Sequence, residues 1–255
     1  MWTRELLKEN GKIAFQRNYW LCVAVSLILV FIGGGTGGIN LNFNLDEGNT
    51  TEGFASVYGF DNWGYLLLMV PLILIGVVLA VAIAFAVSAF LVNIVQIGGC
   101  RFFMENREHK TQVGQVFFVF SNENYMNCVK TMFWRELCIL GWSLLFIVPG
   151  IIKAYAYRMI PYIMAENPGI SRQRAFAISE QMMDGHKMEA FVLELSFLGW
   201  DFLSAITGGI VGIFYANPYK NATFTEFYTA VKSEAFARGI TDIIELPGVR
   251  TEDER

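Results

Sequence analysis

NWGYLLLMVPLILIGVVLAVAIAFAVSAFLVNIVQIGGC, residues 62–100, runs for 39 positions without one Asp, Glu, Lys, Arg or His. A spanning helix needs about 20 apolar residues, and buried core helices with such a run reach only about 14, so a stretch this long belongs in lipid. The whole composition agrees. Of the 255 residues 54% are hydrophobic and 16% charged, whereas an ordinary globular chain carries about 25% charged residues. These numbers predict one membrane domain over residues 1–239 and a mobile tail over 240–255.

Outward from the charge-free run, polarity sets the expected orientation. Residues 40–64 are acidic and carry no Lys or Arg, which marks an outer loop; Arg101, Arg107 and Lys110 follow the run at once and mark the inner side. Toward the N-terminus, residues 1–18 read as an amphipathic interfacial helix, with Leu6, Leu7 and Ile13 apolar and Arg4, Lys8, Lys12 and Arg17 elsewhere. The apolar stretch after it ends in glycines without a small-residue cleavage pattern, so it is expected to stay as a first span rather than leave as a signal peptide.

The expected fold class is all-α: a polytopic membrane helix bundle of six spans at 19–39, 65–99, 125–148, 151–166, 187–205 and 210–228, with amphipathic interfacial helices. Sharp turns are expected at Pro149-Gly150 and Thr207-Gly208-Gly209, because Pro-Gly and Gly-Gly punctuate elements. A four-span alternative joins the later segments in pairs, but it places Arg158, Arg172, Arg174 and Lys187 outside, against the positive-inside tendency. Six spans put every basic connector inside, with both termini cytoplasmic. The fourth segment carries Lys153, Arg158 and Pro161, and a re-entrant or interfacial form stays open for it. A helix starting at Ser171 should bury Ala175, Ile178, Met182 and Met183.

Charges inside apolar segments are costly and usually face a bundle interior, a partner or water. Arg135, Lys153, Arg158, Glu194 and Asp201 are therefore the candidate site residues. Helix rise counted from the two expected turns puts Lys153 level with Asp201 and Arg158 level with Glu194, which predicts two cross-helix pairs. Such pairs either tie helices together or line a polar pathway. An echo, Met104-Glu105-Asn106 against Met164-Ala165-Glu166-Asn167, lies about 60 residues apart.

Other chemistry finds little footing. The glycines of 33–38 lack the Lys-Ser/Thr of a phosphate loop, and His109 and His186 stand in no metal-binding spacing. Cys22, Cys100, Cys128 and Cys138 form no CxxC and read as buried thiols. No GxSxG nucleophile setting occurs. No cofactor, metal or catalytic residue is expected, and a net charge of −4 with segregated signs argues against nucleic acid.

The chain also resembles the bacterial integral-membrane family numbered 975 in the domain-of-unknown-function series. The resemblance rests on Asn18-Tyr19-Trp20, on Pro149-Gly150-Ile151-Ile152-Lys153-Ala154-Tyr155, on Glu166-Asn167-Pro168, on Met182-Met183-Asp184-Gly185-His186-Lys187, and on Asn217-Pro218-Tyr219. It covers nearly the whole chain and implies a bacterial multi-span membrane protein, with no reaction attached. The functional expectation is a non-enzymatic protein that binds lipid or a small solute, or assists other membrane proteins. The bilayer is its first partner, and a membrane-protein partner or self-association is a second. A transporter with a polar pathway near Arg158 and Glu194, and a membrane enzyme, are the alternatives.

Overall fold

Thr3 opens the first helix, α1 (Arg4–Arg17), by accepting the Leu6 amide on its hydroxyl, which satisfies a donor that a helix start leaves free. The computed structural model describes residues 2–33, 69–79 and 91–249. Outside the described residues lie the glycines 34–38, the outer loop 40–64, parts of the second candidate span (65–68 and 80–90) and residues 250–255. The chain divides into two units. The smaller, Ile39–Ser88, is described through the apolar helix Met69–Leu79.

The larger unit, Met1–Gly38 with Ala89–Arg255, is helical in every regular element described. After α1 come α2 (Tyr19–Gly33), α3 (Asn93–Glu108), a 3-10 helix (Val113–Ser121), α4 (Tyr125–Leu145), α5 (Ile147–Ala156) and α6 (Ile160–Glu166). Then follow α7 (Arg172–Met182), α8 (Lys187–Leu195), α9 (Leu198–Ile206), a π-helical turn (Gly212–Ala216) and α10 (Asn217–Ala237). The centre is α10, whose Phe227, Tyr228 and Val231 are buried against α1, α2, α3 and α7. Ser171 caps α7 through the Arg174 amide, and Ala175, Ile178, Met182 and Met183 are buried as that face requires.

Four expectations need correction. The buried stripe of α1 is Leu7, Gly11, Ala14 and Phe15, packed along α10, while Leu6 and Ile13 are exposed. Small residues let two helices approach closely, and a purely apolar tally misses them. The hairpin between α4 and α5 turns at Phe146, which is extended, and not at Pro149-Gly150. Pro149 lies in the first turn of α5, where its missing N–H costs nothing. Gly150 serves contact: a methyl group there would come within 2.7 Å of the Ser143 Cα.

Third, two candidate spans are interrupted. Residues 151–166 are split by a turn between α5 and α6, and 187–205 by a turn between α8 and α9. No described helix alone is long and apolar enough to cross a membrane; α1 with Tyr19–Val30 meets both requirements together, across a bend of 102°. Buried Asn106 holds that bend, its amide donating to the Ala14 carbonyl at 2.7 Å and to Cys22 Sγ at 3.4 Å. The turn at Thr207-Gly208-Gly209 does fall where expected, with Gly208 and Gly209 at φ +63° and +90°, a region that favours glycine.

Fourth, residues 241–249, expected in a mobile tail, form a docked strap. Leu246 is fully buried, the Gly248 amide donates to Glu166 Oε2 at 2.9 Å, and Asn167 Nδ2 donates to the Glu245 carbonyl at 3.0 Å. Arg174 grips the Glu245 carboxylate with two hydrogen bonds of 2.7 Å. That grip holds the Glu245 carboxyl below the ordinary glutamate range.

A depressed carboxylate stabilises the fold above its unfolded value and loses that contribution as pH falls through the folded one. The strap is therefore fully held above about pH 4.3, the ordinary glutamate value, and loosens below it. Hydrogen exchange of the 241–249 amides should be faster at pH 3 than at pH 7 after correction for intrinsic rates, and Arg174→Ala should speed it already at pH 7. Unchanged corrected rates in both cases would sink the idea.

Candidate functional site

Two helix breaks face one another and gather most of the charges expected from the sequence. Arg158 sits in the turn after α5, and its guanidinium donates to Glu194 Oε2, near the end of α8, at 2.7 Å. The same oxygen accepts the Tyr155 hydroxyl at 2.9 Å. The other oxygen, Glu194 Oε1, lies 3.3 Å from Lys220 Nζ, which lies 3.9 Å from Asp201 Oδ2 on α9. The Arg158 guanidinium also covers the Phe224 ring at 4.0 Å from its centroid, a cation–π contact that strengthens where water is scarce.

Arg158 with Glu194 is the pair that helix-rise counting predicts. Lys153 with Asp201 is not formed: Lys153 binds Glu180 of α7, and Asp201 faces Lys220 of α10. Equal height along two helices fixes level but not direction, and α7 occupies the side that Lys153 faces. Arg135 donates to Glu136 at 2.8 Å and to the Tyr157 carbonyl at 3.2 Å, so it holds the α5–α6 turn from α4.

Residues 172–182, the charged helix α7, run beside α4 and α5. Arg172 lies over the Trp134 ring at 4.7 Å, Phe176 contacts the Tyr157 ring at 4.9 Å, and the Ser179 hydroxyl donates to the Ala156 carbonyl at 2.8 Å. Beyond this level the hairpin of α4 and α5 is bare. Residues 140–148 are all exposed, Phe146 at 70% and Ile147 at 75%. Across the molecule's second hairpin, α9 with the start of α10, Phe202, Ile206 and Ile210 are similarly uncovered.

Sequence reasoning missed Lys220, Tyr155 and Glu180. Lys220 has a usable signal, since it follows the Gly208-Gly209 turn as Asp201 precedes it; Tyr155 is marked only by ending the Pro149–Tyr155 stretch of the family resemblance, and Glu180 gave none. The Glu-Asn echo turns out to mark two buried hubs. Glu105 accepts Arg101 at 3.1 Å and the Thr111 hydroxyl at 2.6 Å, while Glu166 accepts Tyr228 at 3.0 Å, Lys232 at 2.6 Å and the strap. His186 is also more than a surface residue, with Glu189 at 2.7 Å on one ring nitrogen and Glu234 at 2.8 Å on the other.

A cavity of about 250 Å³ lies between α1, α3 and α10, lined by Asn10, Ile13, Arg17, Arg107 and Glu226 among others, and neither Arg158 nor Glu194 borders it. The linked charges of the two helix breaks are each satisfied by an opposite partner. Their chemistry is that of an ionic and hydrogen-bonded tie between broken helices.

Fold and site define an all-α protein whose apolar hairpins stand beyond a layer of paired charges. The model of one family, described as Protein of unknown function (DUF975), matches residues 4–235, and the chain belongs to that family. No curated protein and no solved structure matches it.

Proposed function

We propose that this chain is a non-enzymatic integral membrane protein that binds lipid, with its termini on the cytoplasmic side. The observation that carries the reading is the pair of uncovered apolar hairpins above the paired charges. Contiguous apolar surface of this kind is rare on water-exposed proteins and marks a membrane or partner contact. The charge-free run 62–100 supports the same reading from sequence. In host membranes washed with alkaline carbonate, the full chain should remain with the lipid pellet. Release into the wash would overturn the proposal.

A second reading rests on the linked charges at the two helix breaks. Discontinuous helices with polar residues at the break are how many transporters build a substrate site. On that reading Arg158 and Glu194 form part of a polar pathway for an ion or small solute. Reconstituted vesicles should then show a flux that Glu194→Gln abolishes; equal flux with and without the protein removes this reading and leaves lipid binding standing.

A further inference from the structure

We infer that the two hairpins, α4–α5 and α9–α10, are re-entrant: each enters and leaves the hydrocarbon of one leaflet from the same face, without crossing the bilayer. This deepens the lipid-binding reading and rests on it.

The first support is depth. Between Glu136 and Lys153 the chain has 16 uncharged residues, nine before the turn at Phe146 and six after it, and between Asp201 and Lys220 it has 18, five before the turn at Thr207-Gly208-Gly209 and ten after it. At a helical rise of 1.5 Å per residue the tips stand about 10–15 Å beyond the charges of the first hairpin and about 10–18 Å beyond those of the second. Half of a hydrocarbon core of about 30 Å is about 15 Å. Both hairpins thus match one leaflet, and both are too short for two.

The second support is what lies beside the base. Arg172 on Trp134 and Glu180 on Lys153 hold α7 against α4 and α5 just below the bare tip. If the hairpin crossed, this helix, with Arg172, Arg174 and Glu180, would be drawn deep into hydrocarbon. Each charge at the bilayer centre costs about 3 kcal/mol even on lenient scales. Placing α7 and the paired charges among headgroups removes that cost and leaves only the tips in lipid.

The third support is the backbone of the tips. A turn in hydrocarbon must satisfy its own polar groups. Around Phe146, the Phe146 amide donates to the Trp142 carbonyl at 3.1 Å and the Gly150 amide to the Phe146 carbonyl at 3.2 Å, while Pro149 has no N–H to leave unpaired. At the other tip the Gly209 amide donates to the Ser204 carbonyl at 2.8 Å, and the Thr207 hydroxyl donates to the Leu203 carbonyl at 2.9 Å and accepts the Val211 amide at 3.3 Å.

Single cysteines test the proposal in the full chain, against the labelling background of the parent. Met126→Cys, at the start of α4, and Met188→Cys, on α8 leading into the second hairpin, report the face from which the hairpins enter, and Phe146→Cys and Ile210→Cys report the tips; all four side chains are exposed in the protein. With a membrane-impermeant maleimide on right-side-out and inverted vesicles, the two entry-side positions should react from one face only and the tips from neither. A lipid-soluble maleimide should label the tips. Tips that react with the impermeant reagent from the face opposite the entry-side positions would establish crossings and overturn the re-entrant hairpins, while leaving membrane residence intact. Tips that react from the same face as the entry-side positions would put them in water and overturn it as well. Tips silent to both reagents would place them inside protein and equally refute it. Carbonate release, by contrast, removes the lipid-binding reading itself.

Discussion

Gly98→Ala should lower the stability of the folded chain by about 3 kcal/mol, the upper range for overpacking a core. The expectation comes from where the new methyl group would lie. Gly98 sits in α3 against the 3-10 helix, and a methyl there would overlap the Val116 carbonyl oxygen and come within 2.8 Å of its Cα. Alanine gains about 1 kcal/mol over glycine in a helix interior. That gain is too small to offset a collision with backbone, which has no rotamer through which to escape. α3 and the 3-10 helix must separate, and Ile97, Phe102, Val116 and Val119, all buried, share the disturbance. For a domain of this size the unfolding midpoint in detergent should fall by roughly 6–12 °C. Gly114→Ala is the control, since nothing lies within 4 Å of a methyl group there. Equal midpoints for the Gly98 variant and the parent would refute the close approach.

Glu194→Ala is the second large effect expected. Glu194 answers Arg158, Lys220 and the Tyr155 hydroxyl together, and its side chain is only 25% exposed. Removing one partner of a buried ion pair typically costs about 3–5 kcal/mol, because the other charge stays buried without compensation. Partial exposure places this site at the lower end, about 3 kcal/mol. Lys220 retains Asp201 at 3.9 Å, and Arg158 retains the Phe224 face, so the fold should weaken rather than fail. The contrast is Glu108→Ala: Glu108 meets Arg107 at 3.5 Å but is largely exposed, and such surface pairs contribute about 0–1 kcal/mol. If the two variants melt alike, the linked charges are not a structural tie.

Which parts of this architecture the sequence could reveal follows from the kind of information each needs. Helix class and the Gly208-Gly209 turn need only local preference, and both were legible. The Arg158–Glu194 pair needs a height along two helices, which counting residues supplies. The Lys153–Asp201 pair needs a direction as well, and there the counting fails because Glu180 of α7 stands nearer. The offset of the first turn from Pro149 to Phe146 reflects two compatible uses of proline, ending one element or starting the next. The α1 stripe escaped because Gly11 and Ala14 carry no apolar weight although they set how closely α10 approaches. The strap escaped because its fully buried residue, Leu246, looks in sequence no different from the exposed Ile243 and Ile244 beside it, and because the bidentate grip from Arg174 joins residues 71 apart.

The ions at the hairpin bases come in opposite-sign partners: Arg135 with Glu136, Lys153 with Glu180, Arg158 with Glu194, Lys220 with Asp201. Voltage across a membrane does work only on net charge that moves through it, about 2.3 kcal/mol per elementary charge for each 100 mV. These four pairs sum to zero and offer the field nothing to pull. On the proposed re-entrant reading, the position of the hairpins should therefore stay the same in an energised and a de-energised cell.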